Sequence, residues 1–467
     1  MTPAKSQSHK TLSFFHIVMI NVIAVDSIRT LPFAAQFGFS LVFYYLLAAI
    51  FFLVPSALIS AELGTGWPKK GGLYVWVREA FGLKWALIAI WLNWIYNLAW
   101  YPTIMALIAG TSAYLFLPSL AENPLYITLV SLALFWIATY ANCHGMRISS
   151  LISTVGAIGG TLFPMCLIII LAIIWLMLGH PSQISFSSQA FWPSSDTPGQ
   201  LGFFSNVLFG LIGLEMVATH AQEMKDPERD YPKATLVSAC IVILTIVFSS
   251  LAIAIVVPYK DLNLIVGVLQ AFHIFFEAFH APFLTFVLAI CIILGGLSAV
   301  SAWIIGPTKG LLVAGEDQSL PPIFAKTNQH GVPVGALIIQ AIVVTFLSLA
   351  FLLLPSVNSS FAILSIITAQ LALIVYCILF AAAIKLRYHK PEIKRHFKVP
   401  GGSMGIWALS LSGIAICLFA IALGFIPPMQ TQLSSLVLYE LLIVGGMGLL
   451  ALLPILIQRL SKGPKRG

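Results

Sequence analysis

The sequence predicts an all-α integral membrane protein with twelve transmembrane helices, and three observations lead there. Hydrophobic residues make up 59% of the chain and charged residues 9%, with a mean hydropathy of +0.98. Soluble domains carry about 25% charged residues, so this chain has too few to cover a water-facing surface, and its solvent is mostly lipid. The apolar residues gather in runs of bilayer-spanning length, about 20 residues each. The basic residues fall on alternate connections between those runs, as cytoplasmic loops require.

In chain order the runs cover 13–37, 40–63, 85–117, 125–143, 150–178, 201–222, 234–257, 282–306, 333–355, 358–384, 404–426 and 436–458. The polar, basic start "MTPAKSQSHKTLSFF" has no small-residue cleavage site, so the first run is expected as a retained span rather than a signal peptide. With the N-terminus in the cytoplasm, every one of the 24 Lys and Arg lies on that side except Lys260 and the intramembrane Arg29. The outer loops "PSLAENP", "HPSQISFSSQAFWPSSDTPGQ" and "PPMQTQLSS" contain none. An even span count follows, with both termini cytoplasmic and the protein in the cell inner membrane. Three connections, 71–82, 264–279 and 308–333, are partly amphipathic and are expected as short helices along the membrane surface or re-entering it. No soluble domain interrupts this single transmembrane unit.

The net charge of +8 is then a property of cytoplasmic loops and not of a nucleic-acid surface. The six cysteines form no C-x-x-C pair, so neither a disulfide framework nor a zinc site is indicated. No metal and no cofactor is expected.

Charges within spans are costly, about 2.5–3.5 kcal/mol each on insertion scales, and usually face a cavity or a partner. Asp26 and Arg29 share the first span, and Glu215 lies in the sixth behind Gly210 and Gly213. Pro32, Gly210 and Gly213 are the residues that let these helices open. If the first ten spans are two five-helix halves, spans one and six correspond, and paired interrupted helices mark a transporter's central site. Opened helix ends leave N–H and C=O groups that can hold a zwitterion. Two simpler readings stand beside this one. Asp26 and Arg29, at i and i+3, can pair with each other, and Glu215 can be a permanently protonated acid bonded to a neighbour. Glu62 and Glu440, near span ends, are expected as interfacial anchors.

The stretch "GLEMVATHAQEMKDPERDYPKA" resembles the sixth-span signature of amino acid–polyamine–organocation transporters, most closely that of bacterial glutamate/γ-aminobutyrate antiporters. "GWPKKGGLYVWVREAFG", "AWIIGPTKGLLVAGEDQSLPPIFAKTNQHGVPV" and "KPEIKRHFKVPGG" resemble that family in the same order. The resemblance implies a five-plus-five inverted repeat with discontinuous helices one and six, the repeats covering about 13–178 and 201–384, and two added C-terminal helices at about 404–458. It implies substrate-binding positions at Val25, Asp26, Ser27 and Ile28, and at Gly210, Leu211, Ile212, Gly213 and Leu214, with Phe209 as an aromatic gate over them; Arg29 joins the candidate substrate-binding residues by its charge. Glu215 takes the place of a proton-coupling glutamate. Gate or pathway positions are Phe209, Trp94, Asn97, Tyr101, Trp303 and Tyr376. In "WLNWIYNLAWYP" Trp94 and Tyr101 are read on one helix face and Asn93, Asn97 and Trp100 on another, and such aromatics more often pack or form an interfacial belt than touch a ligand. The expected substrate is a small amino acid, moved by exchange, with a proton-coupled uptake permease as the alternative. Arg29, if free of Asp26, favours an acidic or uncharged side chain over a basic one.

The sequence departs from the family pattern in three places. The first span reads "VDSIRTLP", with two charges and no glycine, Ala299 stands where the acid-resistance antiporter has an acid, and the tail "LSKGPKRG" is too short for that antiporter's plug. An enzyme is not indicated, since the spans hold no H-E-x-x-H, paired aspartates or Ser/His dyad at helical spacing. His220, five residues from Glu215, points away on a regular helix. A non-transporting amino acid sensor would need a signalling domain for which the short termini leave no room, and no selectivity-filter repeat supports a pore. The expected partners are the amino acid and the lipid bilayer. A homodimer is compatible with the sequence, which does not set oligomeric state.

Overall fold

The computed structural model describes residues 14–67, 71–144, 156, 158–193, 198–215, 227–316, 320–431, 433 and 435–461. Outside them lie the terminal segments and the last seven residues of the expected sixth span, 216–222, with His220 among them. Helices are the only regular secondary structure among the described residues, which contain no strand. That is the backbone's solution to a solvent with no hydrogen-bonding partners.

The longer helices are α1 (Phe14–Val25), α2 (Leu31–Ala35), α3 (Leu41–Ala48), α4 (Val54–Gly66), α5 (Leu73–Phe81), α6 (Leu83–Ala113), α7 (Pro124–Cys143) and α8 (Phe163–Met177). They continue as α9 (Phe204–Phe209), α10 (Pro227–Val256), α11 (Gly267–Ala278), α12 (Phe283–Glu316), α13 (Val334–Ser348), α14 (Val357–His389), α15 (Gly402–Leu423) and α16 (Leu436–Ser461). A π-helical segment, Ala49–Leu53, joins α3 to α4, and another, Ile158–Leu162, leads into α8.

Among the described residues nine helical stretches are long and apolar enough to cross a membrane. Three of the expected twelve are not among them, each for its own reason. α6 has the length, 31 residues, but its Trp, Tyr and Asn side chains lower its hydropathy. The sixth run is broken after Phe209, and the described apolar part of α16, Leu436–Leu452, is shorter than a full span. Two of the three amphipathic connections are helices of their own, α5 and α11. The third differs: residues 308–316 simply extend α12, and a 3-10 turn follows at Pro322–Phe324.

Local chemistry sets several boundaries. Asn123 accepts the N–H groups of Leu125 and Tyr126, each at 3.0 Å, and Pro124 occupies the first turn of α7, where its missing N–H costs nothing. Ser356 caps α14 in the same way by accepting the Ser359 N–H at 3.1 Å. α14 is central: 83% of its most apolar stretch is buried, against 28% for the peripheral α7. It packs on α6 and α15, while α6 also supports α12, and α10 runs along α1. The Ile158–Leu162 segment crosses α12 at backbone contact, since a Cβ on Gly160 would lie 2.4 Å from the Gly295 Cα. Small residues at such crossings let helices approach where no hydrophobic force drives them together.

Glu62 is not an exposed interfacial anchor. It is 2% exposed, pairs with Arg387 at 2.7 Å and Arg395 at 3.4 Å, and accepts the Val399 N–H at 2.8 Å. A carboxylate near a span end is buried here because the "KPEIKRHFKVPGG" connection folds back over α4. Beside it Lys390 binds Glu79 at 2.9 Å, and that carboxylate raises the Lys390 pKa. Glu440 is exposed.

Candidate functional site

The first span is not one helix. α1 stops at Val25, Asp26 and Ser27 leave the helical path, and the chain re-enters through the 3-10 turn Ile28–Thr30 into α2. Ser27 is extended, with φ −144° and ψ 121°. Two polar residues that compete with helical pairing sit at this point. The Asp26 N–H still closes on the Val22 carbonyl at 2.8 Å, and the Thr30 hydroxyl donates to the Ser27 carbonyl at 2.9 Å. Pro32 is not the site of the break but belongs to the first turn of α2.

The second interruption follows α9. Phe209 ends the helix, Gly210 caps it, and Gly213 has φ +130°, a conformation that side chains disfavour. A Cβ on Gly213 would lie 3.2 Å from the Ala24 carbonyl oxygen, and one on Gly210 would lie 3.3 Å from the Thr30 hydroxyl. The two breaks therefore lie against each other.

Between them, α6 and α12 is a cavity of about 340 Å³. Val25, Asp26, Ser27, Ile28 and Arg29 line it from the first break; Phe209, Gly210 and Ile212 line it from the second. Asn97 reaches it from α6 and Trp303 from α12. The remaining expected residues are elsewhere. Leu211, Gly213, Leu214 and Glu215 lie outside its lining. Trp94 donates to Gln340 at 3.0 Å, packs on Trp91 and Phe324 and lies outside the lining. Tyr101 donates to the Trp303 carbonyl at 2.7 Å, bracing the wall from behind.

Tyr376 also stands behind the cavity. Its hydroxyl accepts the Gly213 N–H at 3.3 Å and donates to Glu215. One side chain of α14 thus joins the break in the sixth span to the acid that follows it. Ala299, where the resemblance expects an acid, lines the wall without one.

Asp26 and Arg29 do not pair with each other. The i, i+3 geometry holds only on a continuous helix, and the break lies between them. The Thr245 hydroxyl of α10 lies within hydrogen-bonding distance of both Asp26 oxygens, at 3.1 and 3.0 Å. The Arg29 Nη1 donates to Ser365 of α14 at 3.1 Å, and its guanidinium lies 5.2 Å from the centre of the Phe209 ring. Sequence reasoning does not reveal Thr245 or Ser365, lone hydroxyl residues in apolar spans more than 200 positions from the charges they meet. Tyr96, Trp100 and Gly296 also line the cavity. Trp100 was visible beside Asn97 on its helix face, whereas Gly296 carried no signal.

To one side of the cavity Phe33 stacks on Phe361 with ring centres 5.5 Å apart and lies 5.0 Å from Phe203. Among the described residues no group of three His, Cys, Asp or Glu side chains could hold a metal.

Comparison with known proteins follows this geometry. A model of the amino acid permease family matches residues 10–448. An uncharacterized transporter of Legionella pneumophila is 50% identical, over 96% of this chain and 97% of its own. A glutamate/gamma-aminobutyrate antiporter of Lactococcus lactis is 28% identical over 98% of this chain and 92% of its own. A probable agmatine/putrescine antiporter of Lactococcus lactis is 25% identical over 96% and 94%. With a family match across nearly its whole length, an all-helical build and apolar helices of spanning length, this chain belongs to the amino acid permease family of the amino acid–polyamine–organocation superfamily, a family of membrane transporters.

Proposed function

We propose that the protein is an amino acid antiporter that works by alternating access around the cavity between the two broken helices. The observation that carries this reading is the meeting of the breaks: Gly213 against Ala24, with a cavity of about 340 Å³ beside them. The opened backbone at Asp26–Ser27 and Ile212–Gly213 binds the α-carboxylate and α-ammonium groups through the peptide groups left over there, since the Asp26, Ile212 and Gly213 N–H groups and the Ser27 carbonyl keep partners within the protein. Twelve spans form two inverted five-helix repeats and two further helices, with both termini in the cytoplasm and the chain in the inner membrane. In that orientation the Phe33, Phe203 and Phe361 rings stand on the outer side of the cavity. Alternating access then requires them to separate when the outer route opens. Two relatives named as antiporters support exchange as the mode of transport.

Counterflow in proteoliposomes tests the proposal. Liposomes preloaded with glutamate or γ-aminobutyrate are expected to take up the labelled form of the same amino acid against its gradient, and empty liposomes to take up little. No counterflow with any amino acid would refute it.

Glu215 supports a second reading, proton-coupled uptake, because a half-buried acid held by Tyr376 beside a helix break can carry a proton through the cycle. Glu215→Gln preserves shape and hydrogen bonding but does not titrate. It is expected to flatten the pH dependence of transport, measured as initial rates in proteoliposomes. An unchanged profile would remove Glu215 from coupling.

A further inference from the structure

We propose that the end of the bundle where α6 begins and α14 finishes binds an anionic phospholipid, its phosphate held by Lys84 and Lys385 and its glycerol region by Trp85 and Tyr388. The proposal rests on the membrane-spanning build of the chain and not on what the chain carries. Lys385 lies in the last two turns of α14, and its Nζ is 4.8 Å from the centre of the Phe81 ring at the end of α5. The same ring lies 6.2 Å from that of Trp85, which follows Lys84 in the first turn of α6. Tyr388 stands one turn beyond Lys385 on the same face of α14. Its hydroxyl accepts the Trp407 Nε1–H of α15 at 2.9 Å. Four helices thus contribute to one patch. Trp85 is 49% exposed, Tyr388 50% and Trp407 42%. Aromatic side chains with a polar tip, left open at the ends of spans, sit at the depth of the lipid headgroups. Lysines there lay their stems along apolar surface and lift the ammonium into the same layer.

The patch lacks an anion. Glu62 is held by Arg387 and Arg395, and Glu79 by Lys390. Lys84 and Lys385 form no ion pair among the described residues. From Lys385 to Lys398 the chain carries Lys385, Arg387, Lys390, Lys394, Arg395 and Lys398 against one acid, Glu392, which acts on Lys390 and Arg395. A lipid with a net negative headgroup supplies the missing charge, whereas a zwitterionic one brings its own cation and supplies none. The surface also continues toward the hydrocarbon, as a lipid requires and a soluble anion does not. Ile88, one turn into α6 from Trp85, is 39% exposed, and Leu411, one turn into α15 from Trp407, is 51% exposed. Acyl chains descend along these rows from a headgroup at the lysines.

Native mass spectrometry of the full-length protein tests this, after delipidation in detergent and addition of equal amounts of phosphatidylglycerol and phosphatidylcholine with the same acyl chains. The wild type is expected to retain phosphatidylglycerol at least fivefold over phosphatidylcholine, and a large excess of inorganic phosphate should not displace it. Lys84→Gln combined with Lys385→Gln should bring the ratio near one, and the same two positions changed to Arg should keep it. Lys394→Gln combined with Lys398→Gln removes equal charge from the exposed part of the connection and should leave the ratio within twofold of the wild type. If the first pair of substitutions prevents folding, Lys84→Gln alone, at an exposed position, should still lower the ratio at least twofold. Equal retention of the two lipids by the wild type, or a wild-type ratio in the Lys84 and Lys385 variants, would overturn the assignment. An equal loss in both double variants would overturn it too, because it would reduce the effect to general attraction by a basic face. Displacement by inorganic phosphate would show a site for a free anion and not for a lipid.

Discussion

Replacing Gly213 with valine is expected to abolish exchange, lowering the initial rate of counterflow at least 100-fold at equal protein in the membrane. The reason is local and double. Gly213 has φ +130°, where an L-residue is strained by roughly 1–3 kcal/mol and a β-branched one most of all. The added side chain would also press on the Ala24 carbonyl, 3.2 Å from the new Cβ, and on Val25 at 3.3 Å. Both neighbours belong to the end of α1, so relief of the clash moves the two breaks apart. A displacement of about 1 Å at a binding site costs on the order of 100-fold in rate. Gly210→Ala is the control. Gly210 has an ordinary helical φ of −63°, and its Cβ would meet the Thr30 hydroxyl at 3.3 Å, a contact relieved by a small shift. It should reduce the rate less than tenfold. Equal effects of the two substitutions would mean that the conformation of Gly213 is not what matters.

The second large effect is on stability. Glu62→Ala is expected to destabilise the protein by about 3–5 kcal/mol, the usual cost of removing one partner from a buried ion pair. Arg387 and Arg395 would be left facing each other without the carboxylate between them, and the Val399 N–H would lose its acceptor. The cluster joins α4, α14 and the connection after α14, so its loss should loosen that end of the bundle first. Unfolding in mixed detergent with increasing SDS measures the change. Adding Arg387→Ala and Arg395→Ala to Glu62→Ala should recover part of the loss, because no buried charge then remains unpaired. A Glu62→Ala protein as stable as the wild type would show that the arginines find water or another anion instead.

The solvent class of the chain was legible from composition alone, and most helices were legible from the lengths of apolar runs. The breaks were partly legible. Gly210 and Gly213 announced the second, since a positive φ at Gly213 needs that residue. For the first, Pro32 drew attention a few residues too far along, whereas the interruption falls at Asp26–Ser27. The pairing of Asp26 with Arg29 was a sound inference from helical spacing and failed for a physical reason: the spacing rule assumes the helix that the break removes. Their actual partners, Thr245 and Ser365, lie on other helices, and no periodicity within one segment points across the bundle. Glu62 was misjudged in the same way. Its position near a span end suggested water, but a connection more than 300 residues later in sequence covers it. On α6 Asn97 and Trp100 line the cavity, while Trp94 donates to Gln340 and lies outside the lining.

The central claim is that substrate sits between the two interrupted helices. Its most direct test is protection of a single cysteine placed at Ile212, in a background where the six native cysteines are replaced, from a membrane-impermeant maleimide in proteoliposomes. Saturating glutamate is expected to slow labelling of Ile212→Cys at least fivefold while leaving a lipid-facing control position unaffected. If glutamate is exchanged by this protein and labelling at position 212 proceeds at the same rate with and without it, the substrate binds elsewhere and the account is wrong.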